Sequence, residues 1–420
     1  MDAFIGSKRQ RAAVTSSERA RVLLAAVVFA VLFSQVLLYP GVPSLVEALG
    51  ADGESPFAAT ALDASMWFLV AEFAGYVAFV GVWGVASDVT GRRTPFIVAG
   101  AVLGAFSYLA LALVPTVGGL QFEAVLGLRL LQGAMTIGAL SLTMTMLMDL
   151  PGGHGTNMGA AGIAIGLGAA LGAPVGGQLS TVDPVAPLVV AAGLLLVVGG
   201  LVGRVPDRAP TEVGSWRSVL AGVRQRPTLS IPYAFGFVDR LTAGFFALVG
   251  TLYFQDTFGL DAAATGILLA CFFAPFALLQ YPMGVLSDRI GRTIPIVAGS
   301  VCYGAGILLV GAAPTVTAAA GAMVLVGVLG ALVAPATMAL VTDIAAETER
   351  GVAMGGFNLT GSLGFLGGFL IGGTVTGSWG YDAAFLVVGG LEILIALVAV
   401  PAFLRLTIEP DRRFGRAERD

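Results

Sequence analysis

The sequence predicts an all-α membrane protein of twelve transmembrane helices arranged as two pseudosymmetric groups of six. Three observations carry that expectation. The hydrophobic fraction is 57% and the charged fraction 11%, with a mean hydropathy of +0.90, whereas soluble globular chains carry about 25% charged residues. Apolar runs long enough for a helix to cross a bilayer core, about 20 residues, recur along all 420 residues. Finally, one polar segment returns: GVASDVTGRRTP at 84–95 is echoed by GVLSDRIGRTIP at 284–295. The 59 glycines lie largely within the apolar runs, where small residues let membrane helices approach closely.

The elements follow in order. A basic tail, residues 1–19 with Lys8, Arg9, Arg11 and Arg19, precedes the first span at 20–41. Its apolar part is too long for a signal peptide, and further spans follow it. Spans at 61–84 and 94–114 flank the first polar segment, and 119–147, 156–180 and 185–204 complete a first bundle, 20–204. A basic connection, 205–228, links it to a second bundle, 229–405, with spans at 229–254, 261–285, 294–313, 316–341, 352–376 and 382–405. The second polar segment again follows an even-numbered span, and MDLPGGHGTNMG (148–159), after the fourth span, is echoed by VTDIAAETERGVAMG (341–355), after the tenth. Residues 406–420 form a second tail.

Charge sets the expected orientation. Both tails, the 84–94 and 285–293 connections and the central linker hold nearly all the basic residues, while the alternate connections carry Glu47, Asp52, Glu54, Asp63, Glu123, Asp183, Asp256, Asp261 and Asp382. By the positive-inside rule both termini are cytoplasmic, which places the chain in a cell membrane as a multi-pass protein. The net charge of -4 therefore conceals a basic inner face, suited to the anionic headgroups of the lipid bilayer, and implies no nucleic-acid partner. Cys271 and Cys302 fall inside the eighth and ninth spans without disulfide or metal-ligand spacing and read as small buried residues. No metal or cofactor is expected. His154, the one histidine, lies in a glycine-rich connection and reads as incidental.

The paired G-x-x-x-D-x-x-G-R segments resemble the signature of the major facilitator superfamily, and the resemblance covers nearly the whole chain. It implies two six-helix bundles around a central cavity and alternating access by rocking of the halves. In the first segment the matching residues are Gly84, Asp88, Gly91, Arg92 and Arg93; in the second they are Gly284, Asp288, Arg289, Gly291 and Arg292. Val89 stands where the family usually has a basic residue, and Thr293 replaces the second terminal base. Gly84 and Gly284 would permit close helix approach. Asp88 would face the start of the eleventh span and Asp288 the start of the fifth, latching the cytoplasmic side through carboxylates at positive helix ends.

Two further stretches resemble family motifs. RLLQG in the fourth span places Arg129 three residues before Gln132; the resemblance associates this arginine with proton coupling. GLGAALGAPVGGQ in the fifth span resembles the glycine-proline motif of antiporters through Gly168, Gly172, Pro174, Gly176 and Gly177, with Pro174 one residue later than usual. The tenth span lacks the arginine motif, so the halves have diverged.

Ionisable residues inside spans are functional candidates by default, because a charge near mid-membrane costs about 2.5–3.5 kcal/mol even on the gentler scales. Besides Arg129 they are Glu72, Asp239, Arg240 and Glu392. Glu72 precedes Gly84 by 12 residues, about 18 Å at 1.5 Å per residue, the depth expected for Arg129, so the two can interact. Asp239 and Arg240 lie about 20 Å past Arg226, in a span the fold places on the cavity; neighbours on a helix point about 100 degrees apart, so they need not pair. Glu392 lies in a span the fold places at the periphery and reads as helix packing or lipid interface. The remaining expected cavity surface is aromatic and weakly polar: Gln35, Tyr39, Gln132, Tyr233, Phe237, Phe245, Phe272, Phe276, Gln280 and Asn358. So few directed polar groups suit a bulky amphipathic substrate better than a sugar.

These readings converge on a proton-coupled efflux antiporter resembling the drug and proton antiporters, working as a monomer on a small molecule. An uptake symporter or facilitator for a sugar, organic anion or other metabolite is the alternative. A membrane enzyme or non-transporting sensor finds no nucleophile-base arrangement, metal cluster or soluble output domain here.

Overall fold

A computed structural model describes residues 2–51, 53–151, 154–207, 227–345 and 350–405, with side chains described from Ser17 and, after the gaps at 152–153 and 346–349, from Ala160 and Ala353. Most of the central linker and the whole tail 406–420 lie outside the described residues, as do the side chains of His154 and of most of the N-terminal tail. Among the described residues all the regular structure is helical: α1 Asp2–Val36, α2 Val42–Ala48, α3 Ala61–Thr90, α4 Thr94–Val117, α5 Phe122–Met148, α6 His154–Val182, α7 Ala186–Val202, α8 Ser230–Phe245, α9 Thr251–Phe258, α10 Ala262–Ile290, α11 Thr293–Gly311, α12 Val316–Ile344 and α13 Arg350–Arg405.

Local chemistry sets the ends. The Thr60 and Asp261 side chains accept from the amides of Asp63 and Ala264 at 3.1 and 2.7 Å, capping α3 and α10, and Thr315 does the same for α12; each satisfies an amide that the first turn leaves open. Gly91, at φ 62, closes α3 in the left-handed conformation that glycine adopts without strain. Pro40, Pro43 and a short 3-10 turn, Tyr39–Gly41, separate α1 from α2, since proline supplies no amide to continue a helix. A π turn, Phe246–Gly250, joins α8 to α9.

Ten helical stretches among the described residues are long and apolar enough to cross a membrane, and Ala186–Val202 is a shorter apolar helix. The stretch α13, covering the expected eleventh and twelfth spans, is two helices that meet at a kink at Gly380 (φ 86, ψ 177); the loop expected at 377–381 is a single-residue break. The helices also outrun their apolar segments: residues 85–90 and 286–290, expected in connections, form the last turns of α3 and α10.

Helices α1 and α3–α7 form one group and α8 and α10–α13 the other; α6 and α10 pack on each other as extensively as on their own groups, and α3 meets α13. Close approach within each group depends on glycine. A Cβ at Gly133 on α5 would lie 2.2 Å from the Glu72 carbonyl oxygen on α3, and one at Gly364 on α13 would lie 2.1 Å from that of Phe237 on α8, far inside contact distance. Between the groups, the contacts run down from the acidic end: Gly177 meets the Ala262 carbonyl, Gly266 meets that of Ala173, Gly373 meets the Met66 sulfur, and Gly166 meets Ala277. The Phe73 ring stacks on Phe365 at 5.0 Å, and Gln255 donates to the Pro40 carbonyl at 2.7 Å. At the arginine-rich end a Cβ at Gly84 would meet nothing within 4 Å, and one at Gly284 only Pro335 of its own group. The close approach expected at these two glycines is therefore absent here, because the contacts that join the groups lie towards the other end.

Candidate functional site

Gly133 and Gly75 bring α3 and α5 into backbone contact, for a Cβ at Gly75 would lie 2.3 Å from the Leu130 carbonyl. That seam carries Glu72 to Arg129. Arg129 Nη2 donates to Glu72 Oε2 at 2.6 Å, and both side chains are 0% exposed. Arg129 Nη1 donates to Gln132 Oε1 at 2.6 Å, Gln132 Nε2 to Thr136 Oγ1 at 3.1 Å, and the Tyr76 hydroxyl to Glu72 Oε1 at 3.4 Å. The guanidinium lies 4.5 Å from the Phe68 ring centre and 5.7 Å from that of Tyr108, where the negative faces of the rings favour a cation. Tyr39 is buried beside them. Arg129 Nε has no partner. A carboxylate and a guanidinium so enclosed hold their charges only against each other, and the carboxylate is the member that can be neutralised by a proton.

In the C-terminal group the adjacent charges diverge. Arg240 is half-buried and lies along α13 at Gly361, with no ion pair to Asp239. Asp239 is buried at 8% exposure, with the Arg240 charge still within electrostatic reach. Glu392 is buried, at 1% exposure, so the lipid-interface reading of its position is corrected: it points into the junction of helices and not outward.

The two loop segments are built on ion pairs inside their own groups. Arg93 pairs with Asp149 at the end of α5, and its amide donates to both Asp207 oxygens at 2.9 and 3.0 Å. Arg292 bonds Asp288 at 2.5 Å and Asp343, at the end of α12, at 3.0 Å. Burial works against the Arg292 charge, but its hydrogen bonds to Asp343 and Asp288 outweigh that and raise its pKa above the ordinary value. Asp288 is thus engaged in its own loop; the side chains at the starts of α6 and α13, where the latch would form, lie outside the described residues. Gly91 and Gly291 take positive φ (62 and 87), and Arg92 and Arg289 are exposed.

On α6, Gly168, Gly172 and Gly176 seat α1 at Phe29, Phe33 and Leu37, while Gly177, with Ala173 and Pro174, seats α10 at Ala262 and Gly266. The one helix thus lies flush on both groups. Of the expected cavity residues, Gln35 is buried with Nε2 unpartnered, and Gln280 is half-buried beside Gly162. Phe237 and Phe276 are half-buried and Asn358 is exposed. Phe245 and Phe272 are corrected. Phe245 is fully buried against Phe246 and Phe385, and Phe272 packs against Phe246, Phe273 and Phe276. Tyr233 is likewise occupied, its hydroxyl donating to the Ala353 carbonyl at 2.7 Å.

Tyr76, Thr136, Asp149 and Asp343 escaped the sequence reading although signals existed. Tyr76 and Thr136 lie four residues after Glu72 and Gln132, one helical turn on the same face. The aspartates sit in the echoed segments after the fourth and tenth spans.

Comparison with known proteins agrees with the architecture. An uncharacterized MFS-type transporter of Methanocaldococcus jannaschii is 32% identical over 163 residues, covering 39% of this chain and 42% of that protein. The inner membrane transport protein YajR of Escherichia coli K12 is 29% identical over 154 residues, 36% of this chain and 34% of that protein. The chain thus matches well under half the length of either relative. The D-xylose-proton symporter structure superimposes with a TM-score of 0.73 at 16% identity, covering 91% of this chain and 96% of that one. Residues 24–251 and 233–420 match the sequence model of the Major Facilitator Superfamily, so the chain belongs to this family of membrane transporters.

Proposed function

We propose that the chain is a proton-coupled antiporter that expels a small amphipathic molecule by alternating access, with Glu72 as proton carrier in the N-terminal group and Arg129 as the charge that sets its readiness to release the proton. The observation that carries this reading is the fully buried Glu72–Arg129 contact at 2.6 Å. When the guanidinium moves away, the carboxylate is left uncompensated in a water-poor interior and takes up a proton; when it returns, the proton leaves. The glycine faces of α6 supply a surface on which the two groups rock, and they are the support for antiport.

The same reading takes α13 as two crossings joined at Gly380 and Ala186–Val202 as a short one, giving twelve, with 20–204 and 229–405 as the two bundles. Both termini and the arginine-rich end face the cytoplasm of a cell membrane, so the conformation described here is inward-facing. The transporter works as a monomer, without a cofactor, on the proton gradient. Asp239, Arg240, Gln35, Phe237, Phe276, Gln280 and Asn358 complete the surface met by protons and substrate.

The test is reconstitution in liposomes under an imposed pH gradient, with a panel of amphipathic cations and neutral compounds. Gradient-driven flux of one of them should appear in the parent protein and vanish in Glu72→Gln, while binding persists. Full gradient-driven flux in Glu72→Gln would remove Glu72 from the mechanism.

A further inference from the structure

At the acidic end of the C-terminal group a cavity of about 390 Å3 opens between the ends of α9 and α11 and the kink in α13, with Tyr253, Thr257, Gly311, Trp379, Tyr381 and Asp382 in its walls. Its size falls in the range of small-molecule sites, about 300–1,000 Å3. Three of the walls are aromatic. The Tyr253 and Tyr381 rings lie 5.5 Å apart at 63 degrees, and each is fixed by its hydroxyl. Tyr253 donates to the Gly311 carbonyl at 3.0 Å and Tyr381 to Asp256 Oδ2 at 2.5 Å. Phe385 braces Tyr253 from behind at 4.9 Å. Trp379, just before the kink, keeps 73% exposure.

The charges around the cavity are all of one sign. Asp382 is exposed and makes no ion pair among the described residues, and Asp256 is held at the rim by Tyr381. Helices α9 and α11 both end here, presenting carbonyl ends that carry partial negative charge; at the kink the opposite ends of the two arms of α13 offset each other. Nothing in the surrounding chain answers this charge, for segments 241–288, 293–349 and 351–404, which build the cavity, contain no lysine, arginine or histidine. The third aspartate at this end, Asp261, is occupied in capping α10. A metal ion does not fit, since no three carboxylate, cysteine or histidine side chains converge among the described residues. Fixed aromatic faces beside an unanswered carboxylate are the chemistry that recognises an alkylated ammonium, which offers a diffuse charge and needs few directed hydrogen bonds.

We propose that this cavity binds an alkylated ammonium group, with Tyr253, Trp379 and Tyr381 as its aromatic walls, Asp382 as the counter-charge and Asp256 as the partner that positions Tyr381. The group belongs either to a free organic cation or to the headgroup of a choline lipid, because the exposed Trp379 marks the level where tryptophan meets the membrane surface. The site is separate from the Glu72–Arg129 contact and does not depend on the direction or coupling of transport.

Fluorine NMR of the full chain labelled with 5-fluorotryptophan, in a non-ionic detergent, tests this without a transport assay. The chain has four tryptophans, and the Trp379 signal is assigned by its loss in Trp379→Phe. Titration with benzyltrimethylammonium should shift that signal saturably, whereas benzyl alcohol, which has the ring without the charge, should leave it in place. Asp382→Asn should weaken the apparent affinity by about fivefold, the upper range for an exposed ion pair; unchanged Trp67 and Trp83 signals show that the variant is folded. In nanodiscs, a Trp379 signal displaced in phosphatidylcholine relative to phosphatidylglycerol, and unresponsive there to the added cation, assigns the site to the headgroup. A response to the cation in both lipids assigns it to a soluble ligand. No saturable shift in detergent, an equal shift with benzyl alcohol, or an unchanged affinity in Asp382→Asn would overturn the site and leave Trp379 as an anchor at the membrane surface.

Discussion

Glu72→Gln and Arg129→Gln cut the same 2.6 Å contact from opposite sides, and they should not cost the same. A guanidinium stays protonated under all ordinary conditions. Glu72→Gln therefore leaves a full charge at 0% exposure, with Gln132 and the Phe68 face as its remaining company, and should cost about 3–5 kcal/mol, as for other buried pairs broken on one side. Arg129→Gln leaves a carboxyl that takes up a proton and keeps its Tyr76 contact, so the loss is that of a charged hydrogen bond, about 1.5–3 kcal/mol, at acidic pH. Its cost then grows as pH rises above the ordinary carboxyl range near 4.3, by about 1.4 kcal/mol per unit while the folded protein keeps the proton and the unfolded chain does not. The double variant removes both charges and should cost less than the sum of the two. Thermal inactivation in detergent, followed by the loss of monodisperse protein across a pH series, reads all three. Equal losses in the single variants, no pH dependence in Arg129→Gln and an additive double variant would refute the view that these two charges compensate each other.

Two further outcomes follow from the helix contacts. Gly133→Ala places a methyl 2.2 Å from the Glu72 carbonyl, so α3 and α5 must part; a loss of about 1–3 kcal/mol is expected, against little change in Gly193→Ala, whose added methyl meets nothing within 4 Å. Asp88→Asn and Asp288→Asn should each favour separated arginine-rich ends, seen as longer distances between spin labels placed on the two groups at that end. Unchanged distances in both would dispose of the latch.

Depth was legible in the sequence because a helix rises evenly: counting residues put Glu72 and Arg129 at one level, and they meet. Facing was not legible. Each residue turns the side chain by about 100 degrees, so a break such as the π turn at Phe246–Gly250 resets which side is which. Phe245, expected on the cavity, is buried against Phe385. The same arithmetic left open whether Asp239 and Arg240 pair; Arg240 lies along α13 at Gly361 instead. Polar helix ends were misread as connections because apolar length alone defined the spans, while α3 and α10 continue through Asp88 and Asp288.

The join at Gly380 sets how α13 moves. Flanking Cα atoms across one residue are at most about 7 Å apart, so the two arms have no slack between them. The first arm runs along α3 and α8, and the second carries Glu392 against α11. A tilt of the first arm, once begun, displaces the top of the second by nearly the same amount. Lengthening this joint by a few flexible residues would give the arms slack, so the shortness of the single-residue link is what ties the end of the first arm to the start of the second.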